Sequence, residues 1–555
     1  MRRLRWAALL ILAVVITGGA AWLFRSAAGE KDPGPVMVRF LQSRASQLQL
    51  GRTGEENREA SRMTREFYER RADRPAWTSA RKPSRRGREA VEALAQAVND
   101  GLDPADYGAA ELRKRLARKF ESDDDRLAFD AELTQALLLL AHHMIRGRFD
   151  PRAAEMPWQT SPGKIDPVER IVAASREGRV RDAIASFRPS HAGYEALRGQ
   201  LVRYRALASA GGWTNVPPGP SLPAGDEADP ARIAALRSRL QKEGFLAERG
   251  RAQGASPARF DAELAGAVAS FQSLRGIVPD SILGPETVDA LNVSANARVA
   301  QIELNLERHR WIPDRNDARA IEVNIPSFEL WARENGRTVL HMPVIVGQPS
   351  WESPIFSDRM DHLVLNPYWN VPESIAADEI LPAIAKDPGY VEKHDLEVVA
   401  ADGETVVPIR KVDWREFDHG YRFRQRPGPR NALGRIKFMF PNQFNVYLHD
   451  TPTQPLFEET DRAFSHGCIR VAQPLELAEW VMGGRWSRER FAEEIATGEQ
   501  RTVSLPEPVP VHILYRTAFV DDAGLLQFHQ DIYGVDAALA NAFARRRAAP
   551  ASASR

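Results

Sequence analysis

Within 24 residues the chain carries a tyrosine, two histidines, a thiol and a guanidinium in a fixed order. Tyr447-Leu448-His449 is followed, after 15 intervening residues, by Ser465-His466-Gly467-Cys468-Ile469-Arg470. Cys468 is the single cysteine of 555 residues, which excludes an intrachain disulfide and any cysteine-cluster metal site. It is therefore either a small buried hydrophobe or the centre of the chemistry. Its neighbours Ser465, His466, Gly467 and Arg470 are wrong for a core, and a histidine lies close in sequence. An ordinary thiol, with a pKa of about 8.5, is mostly protonated at neutral pH; a neighbouring imidazole or cation creates the thiolate nucleophile. His449 is the natural base. His466, two residues from the sulfur on the same segment, is a rival that more readily shapes the site than exchanges the proton. Gly467 lets the backbone turn beside the sulfur, and the planar fork of Arg470 suits a carboxylate.

These groups need a strand to present them. Asn445 to His449 alternates, so Tyr447 and His449 share one face while Val446 and Leu448 take the other. Asp450-Thr451-Pro452 then ends the strand and leaves His449 at its tip. Ile321 to Ile325, Val339 to Val346, His362 to Leu365 and Arg435 to Phe440 read as further strands, giving a mainly β domain over 296–540. A long insertion, 373–430, contains the helix-like Ser374 to Lys386 and reads as a helical cap or binding loop. Trp369, just before it, is expected to wall the groove beneath.

The rest of the chain is helical. Residues 31–209 hold Ala-, Leu- and Arg-rich blocks with apolar residues at helical spacing, among them Asp130 to Arg146. Adjacent His142 and His143 lack metal-site spacing, since neighbours on a helix point about 100° apart, and no metal or cofactor is expected. A Gly- and Pro-dense linker spans 210–230. A small three-helix unit follows over 231–295, and 541–555 is expected to be a disordered tail. Lys and Arg number 75 against 74 Asp and Glu, so nothing pulls the chain toward nucleic acid. At the N-terminus three arginines precede Trp6 to Phe24, a charge-free run of 19 residues. At about 1.5 Å per residue this run is the length of a bilayer core. Residues 1–30 therefore read as a membrane anchor in preference to a cleaved signal, with the chain beyond them exported.

The spacing from His449 to Ser465-His466-Gly467-Cys468-Ile469-Arg470, with Tyr447-Leu448 ahead of it, resembles the L,D-transpeptidase catalytic motif. Arg310-Trp311-Ile312-Pro313, Asn366-Pro367-Tyr368-Trp369-Asn370-Val371-Pro372 and Asp531-Ile532-Tyr533 extend the likeness to the large membrane-anchored enzymes of Gram-negative bacteria. LQKEGFL, AVASFQSLRGI and PDSILGPETVDALN, in that order within 231–295, resemble a peptidoglycan-binding domain. Arg470 stands where some relatives carry Asn.

The resemblance implies a multidomain α+β protein of the periplasm, held at the inner membrane. It would have a helical scaffold, a peptidoglycan-binding domain and a mainly β catalytic domain. Its partners would be peptidoglycan stem peptides and glycan, with other cell-wall synthases. Cys468 would attack a tetrapeptide stem, release D-alanine and pass the acyl group to an amine as a 3-3 crosslink. His449 would move the protons, and Gly467, Cys468 and Tyr447 would hold the oxyanion. Ser465, His466, Arg470 and Trp369 complete the expected surroundings. An L,D-carboxypeptidase or crosslink hydrolase would share the same thioester, and a non-catalytic wall-binding scaffold would use only the small helical unit.

Overall fold

The computed structural model describes residues 36–44, 50–51, 53–149, 151, 158–159, 165–247, 256–312, 317–387, 389–412 and 420–548. The expected anchor over 1–30 lies outside them. Among the described residues no helix is long and apolar enough to cross a membrane.

The strands of the catalytic half close on themselves. They are β1 (Arg319–Asn324), β2 (Glu329–Glu334), β3 (Arg337–Gly347), β4 (Ile355–Leu365), β5 (Ile436–Met439), β6 (Leu448–His449), β7 (Ala463–Ser465), β8 (Ile469–Val471) and β9 (Arg501–Leu514). The neighbours run β4-β5-β6-β8-β3-β2-β1-β9, and β9 pairs again with β4, so eight strands complete a circuit; β7 adds to β3 in parallel. Closure follows from alternation. Ile321, Val323, Leu330, Val344, Leu363, Phe438, Leu448, Ile469 and Val511 belong to one buried cluster, and the residues between them on β5, β6 and β8 point outward. A circuit of this size is filled by side chains, so chemistry belongs on its outer face or rim.

The insertion after Pro372 differs from the expected helical cap. It contains helical turns over Glu373–Ile375, Ala376–Ile380 and Leu381–Lys386, and also a four-stranded antiparallel sheet ordered Trp369–Asn370, Tyr421–Gln425, Leu396–Ala400, Val406–Val407. Val371, Ile380, Val398 and Phe423 form its own core. The alternation Leu396-Glu397-Val398 against Arg422-Phe423-Arg424 drives the pairing.

The helical half is built from capped helices. Ser122 accepts from the Asp125 N–H at the start of Asp123–Arg146, which is largely buried from Arg126 to Ile145, and Asp166 caps Pro167–Glu177. The stretch 210–230 has no helix before Pro230, but it is not a free linker. Val216 and Leu222 enter the core of the small helical domain, and Asn292 hydrogen-bonds both the N–H and the carbonyl of Val216. The expected tail is corrected over 541–548, where the helix Val535–Ala548 continues. Its Arg546 pairs with Glu56 and Asp106 of the N-terminal domain at 3.0 and 2.7 Å.

Candidate active site

Register sets three polar residues in one row across the outer face. Lys437 of β5 stands opposite His449 of β6, and His449 stands beside Arg470 of β8. One step before Ile469, Cys468 lies alongside Tyr447, whose carbonyl accepts the Ile469 N–H at 3.1 Å. The fold thus places Tyr447, His449, Cys468 and Arg470 together, and adds Lys437.

Cys468 is partly exposed. Burial pushes its thiol up. Tyr447 opposes this by presenting its backbone N–H and its phenol to Sγ, and Lys437 and Arg470 act in the same direction by charge. Among the described residues no hydrogen bond joins Sγ to His449; the thiol donates to the Asn445 carbonyl at 4.0 Å. The Tyr447 ring neighbours both, its hydroxyl facing Sγ and its centroid 5.7 Å from that of His449.

His449 is 4% exposed, and its Nδ1 donates to the Asp450 carbonyl at 2.5 Å, which leaves Nε2 as the basic nitrogen. Burial, with Arg470 and Lys437 adding repulsion, lowers its pKa to about 3, so it is neutral across the physiological range. Neither cation is compensated. Among the described residues Lys437 and Arg470 make no ion pair, and Arg470 Nε is buried without a hydrogen-bond partner. The Lys437 ammonium instead sits 3.7 Å from the centre of the Tyr447 ring.

The nucleophile turn is held from behind. Gly467 has φ +104°, a region that side chains avoid. Ser465 is buried; its hydroxyl donates to the Cys468 carbonyl at 2.5 Å and accepts the Gly467 N–H at 3.1 Å. Two expectations are corrected by this. Ser465 shapes the turn and does not face a ligand. The Gly467 N–H is already engaged and is not free for an oxyanion, whereas the Cys468 N–H has no partner among the described residues. Ser353, which the sequence did not reveal, accepts the Gly347 N–H at 2.9 Å and donates to the Gly467 carbonyl at 2.8 Å.

His466 points away from the sulfur's partners, to Glu379 of the insertion at 2.9 Å and to the Trp351 ring. Trp369 pairs with Gln425 and packs against the core of the insertion. Lys437 had a legible signal: a lone charge in the strand Ile436-Lys437-Phe438-Met439, at the position that alternation turns outward.

Residues 318–511, which contain this site, match the model of the L,D-transpeptidase catalytic domain. The chain thus contains a domain of the L,D-transpeptidase catalytic type. Residues 229–291 match a peptidoglycan-binding domain, and residues 62–201 match a domain described as a scaffold. A Haemophilus influenzae protein described as a candidate L,D-transpeptidase is 33% identical over 274 residues, 48% of this chain and 54% of that protein. The chain thus spans about half the length of this curated relative. Among solved structures, an L,D-transpeptidase from Mycobacterium smegmatis is 14% identical over 36% of this chain and 58% of its own, with a TM-score of 0.16. An L,D-transpeptidase from Xylanimonas cellulosilytica is 15% identical over 54% of this chain and 100% of its own, with a TM-score of 0.17. Within the transpeptidase domain, Lys437, Tyr447, His449, Cys468 and Arg470 lie together on adjoining strands and the turn before β8.

Proposed function

We propose that the protein is a peptidoglycan L,D-transpeptidase that forms 3-3 crosslinks through a thioester on Cys468. The observation that carries this reading is the placement of the only thiol beside a phenol, a neutral imidazole and two cations that make no ion pair among the described residues of the transpeptidase domain.

Cys468 Sγ attacks the carbonyl of the third residue of a tetrapeptide stem. His449 Nε2 takes the thiol proton once the donor closes the gap, and returns it to the departing D-alanine amine as the C–N bond breaks. The oxyanion formed on the way is held by the Cys468 N–H and the Tyr447 hydroxyl, with Arg470 receiving a donor carboxylate. An acceptor amine, that of a diaminopimelate residue, then attacks the thioester; His449 accepts its proton and the thiolate leaves. The match of 229–291 to a peptidoglycan-binding domain supports work on the wall polymer, in the periplasm. The same site with water as acceptor would be an L,D-carboxypeptidase.

Mass spectrometry of the protein incubated with tetrapeptide tests this. The expected result is an acyl adduct on Cys468, free D-alanine and dimer, all absent in Cys468→Ala. Tripeptide without dimer would replace crosslinking with hydrolysis, and activity surviving in Cys468→Ala would overturn the nucleophile.

A further inference from the structure

Lys437 is the one member of the row with no part in the scheme above. Several groups bear on the sulfur from the elements packed around it: Lys437 from β5, Tyr447 just before β6, and Arg470 from β8, with His449 of β6 between Lys437 and Arg470 in register. His466 precedes Cys468 on the nucleophile turn. His466 is taken by Glu379, and the Asp450 carboxylate after β6 is taken by the N–H groups of Arg435 and Thr451, at 2.8 and 2.7 Å. No carboxylate is left over among the described residues to neutralise Lys437.

A half-buried ammonium without a counter-ion is destabilising, because part of its hydration is lost and nothing replaces it. Burial lowers the Lys437 pKa, and the charge of the Cys468 thiolate opposes this; Arg470 behaves in the same way. The ammonium lies over the Tyr447 ring, whose own hydroxyl faces the sulfur, so one side chain bears on both the charge and the phenol.

We infer that Lys437 is a positioning residue for the nucleophile: its ammonium is the counter-charge of the Cys468 thiolate, and by seating on the Tyr447 ring it aims the phenol hydroxyl at Sγ. His449, neutral at rest, takes the thiol proton as in the scheme above, and the Lys437 ammonium balances the thiolate charge that remains. The inference rests on Cys468 being the nucleophile, but it does not depend on what the thiolate attacks.

The test is the pH dependence of alkylation by iodoacetamide, a neutral probe that reads thiolate and needs no peptidoglycan; a single cysteine makes the signal unambiguous. In Lys437→Met the midpoint of the rate profile is expected to rise by about one pH unit, which slows alkylation at neutral pH about tenfold. Lys437→Gln is a second neutral variant that keeps a polar tip and should shift the midpoint in the same direction. Lys437→Arg, which keeps the charge, should restore a midpoint close to that of the native protein. Circular dichroism shows which variants are folded. A folded neutral variant with the native midpoint, or an arginine variant shifted as far as the methionine one, would overturn the assignment. A Lys437-dependent midpoint in a protein that forms no adduct with tetrapeptide would keep it and remove only the transpeptidase reading.

Discussion

His466 Nε2 lies 2.9 Å from Glu379 Oε1, so the residue two places before the nucleophile is held by the π-helical turn Ala376–Ile380 of the insertion. Both side chains are substantially exposed, and such a pair contributes at most about 1 kcal/mol. Glu379→Gln should therefore leave the melting temperature nearly unchanged. What it should alter is the hold of the cap on the nucleophile turn. Iodoacetamide should label Cys468 faster in the variant, by no more than about fivefold, the factor that corresponds to that energy. Equal rates would show that the contact does not restrain access.

His449 gives a prediction with a definite sign. Its pKa is lowered to about 3 by burial and by Arg470, whereas an unfolded histidine titrates near 6.5. Between these values the unfolded chain binds a proton that the folded one does not, so this group makes stability fall as pH falls from about 6.5 toward 3. The slope from one such group is at most about 1.4 kcal/mol per pH unit. His449→Gln should remove that slope: urea titrations at pH 7 and pH 5 should show a smaller loss in the variant. Turnover should drop by about two to four orders of magnitude, the usual contribution of a general base. In the native enzyme, moreover, kcat/KM should show no acid limb near 6.5 from this residue.

Ser353 tests the support of the nucleophile turn. Its fully buried hydroxyl joins the Gly347 N–H to the Gly467 carbonyl. Ser353→Ala strands both groups away from water, at about 1–3 kcal/mol for each unsatisfied group. Thermal melting should show that loss. Because the freed carbonyl belongs to the residue next to Cys468, kcat should fall more than KM rises. A stability loss with unchanged kcat would make Ser353 purely structural.

The sequence made the reacting groups legible because they sit on local patterns. Alternation over Asn445 to His449 fixed which side chains share a face, and Gly467 marked the turn. It showed Lys437 only as a lone outward charge, and did not reveal Ser353, whose partner Gly467 lies 114 residues along the chain. Register alone decides that Lys437 meets His449. The Gly467 N–H was misread for a related reason: a backbone donor looks free in sequence until the Ser465 hydroxyl folds back on it. The strands of the insertion were hidden by the stronger helical signal of Ser374 to Lys386. The stretch 210–230 showed only that helix and strand were absent, which says nothing about burial. Val216 is buried there because Asn292 satisfies its backbone.

Glu243 links the small helical domain to its neighbours and carries the largest expected effect on stability. Its side chain is 1% exposed and lies between Arg239 at 2.6 Å and Arg275 at 3.1 Å, while Tyr204 of the scaffold helix Ala192–Ser209 donates to it. Burial opposes the carboxylate, but the two guanidinium groups and the phenol outweigh it and lower its pKa to about 2. Arg275 in turn stacks on Phe528, beyond the barrel strands, at 4.9 Å, so one carboxylate organises contacts among three domains. Glu243→Ala would leave two buried cations facing each other without a counter-charge, a change worth about 3–5 kcal/mol. The expected outcome is a large fall in melting temperature. Limited proteolysis should also release the region 229–291 earlier than in the native chain. Glu243→Gln, which keeps the shape and one hydrogen-bond acceptor but not the charge, should lose nearly as much if charge is what matters. If it is as stable as the native protein, packing and not the ion pair holds the domains together.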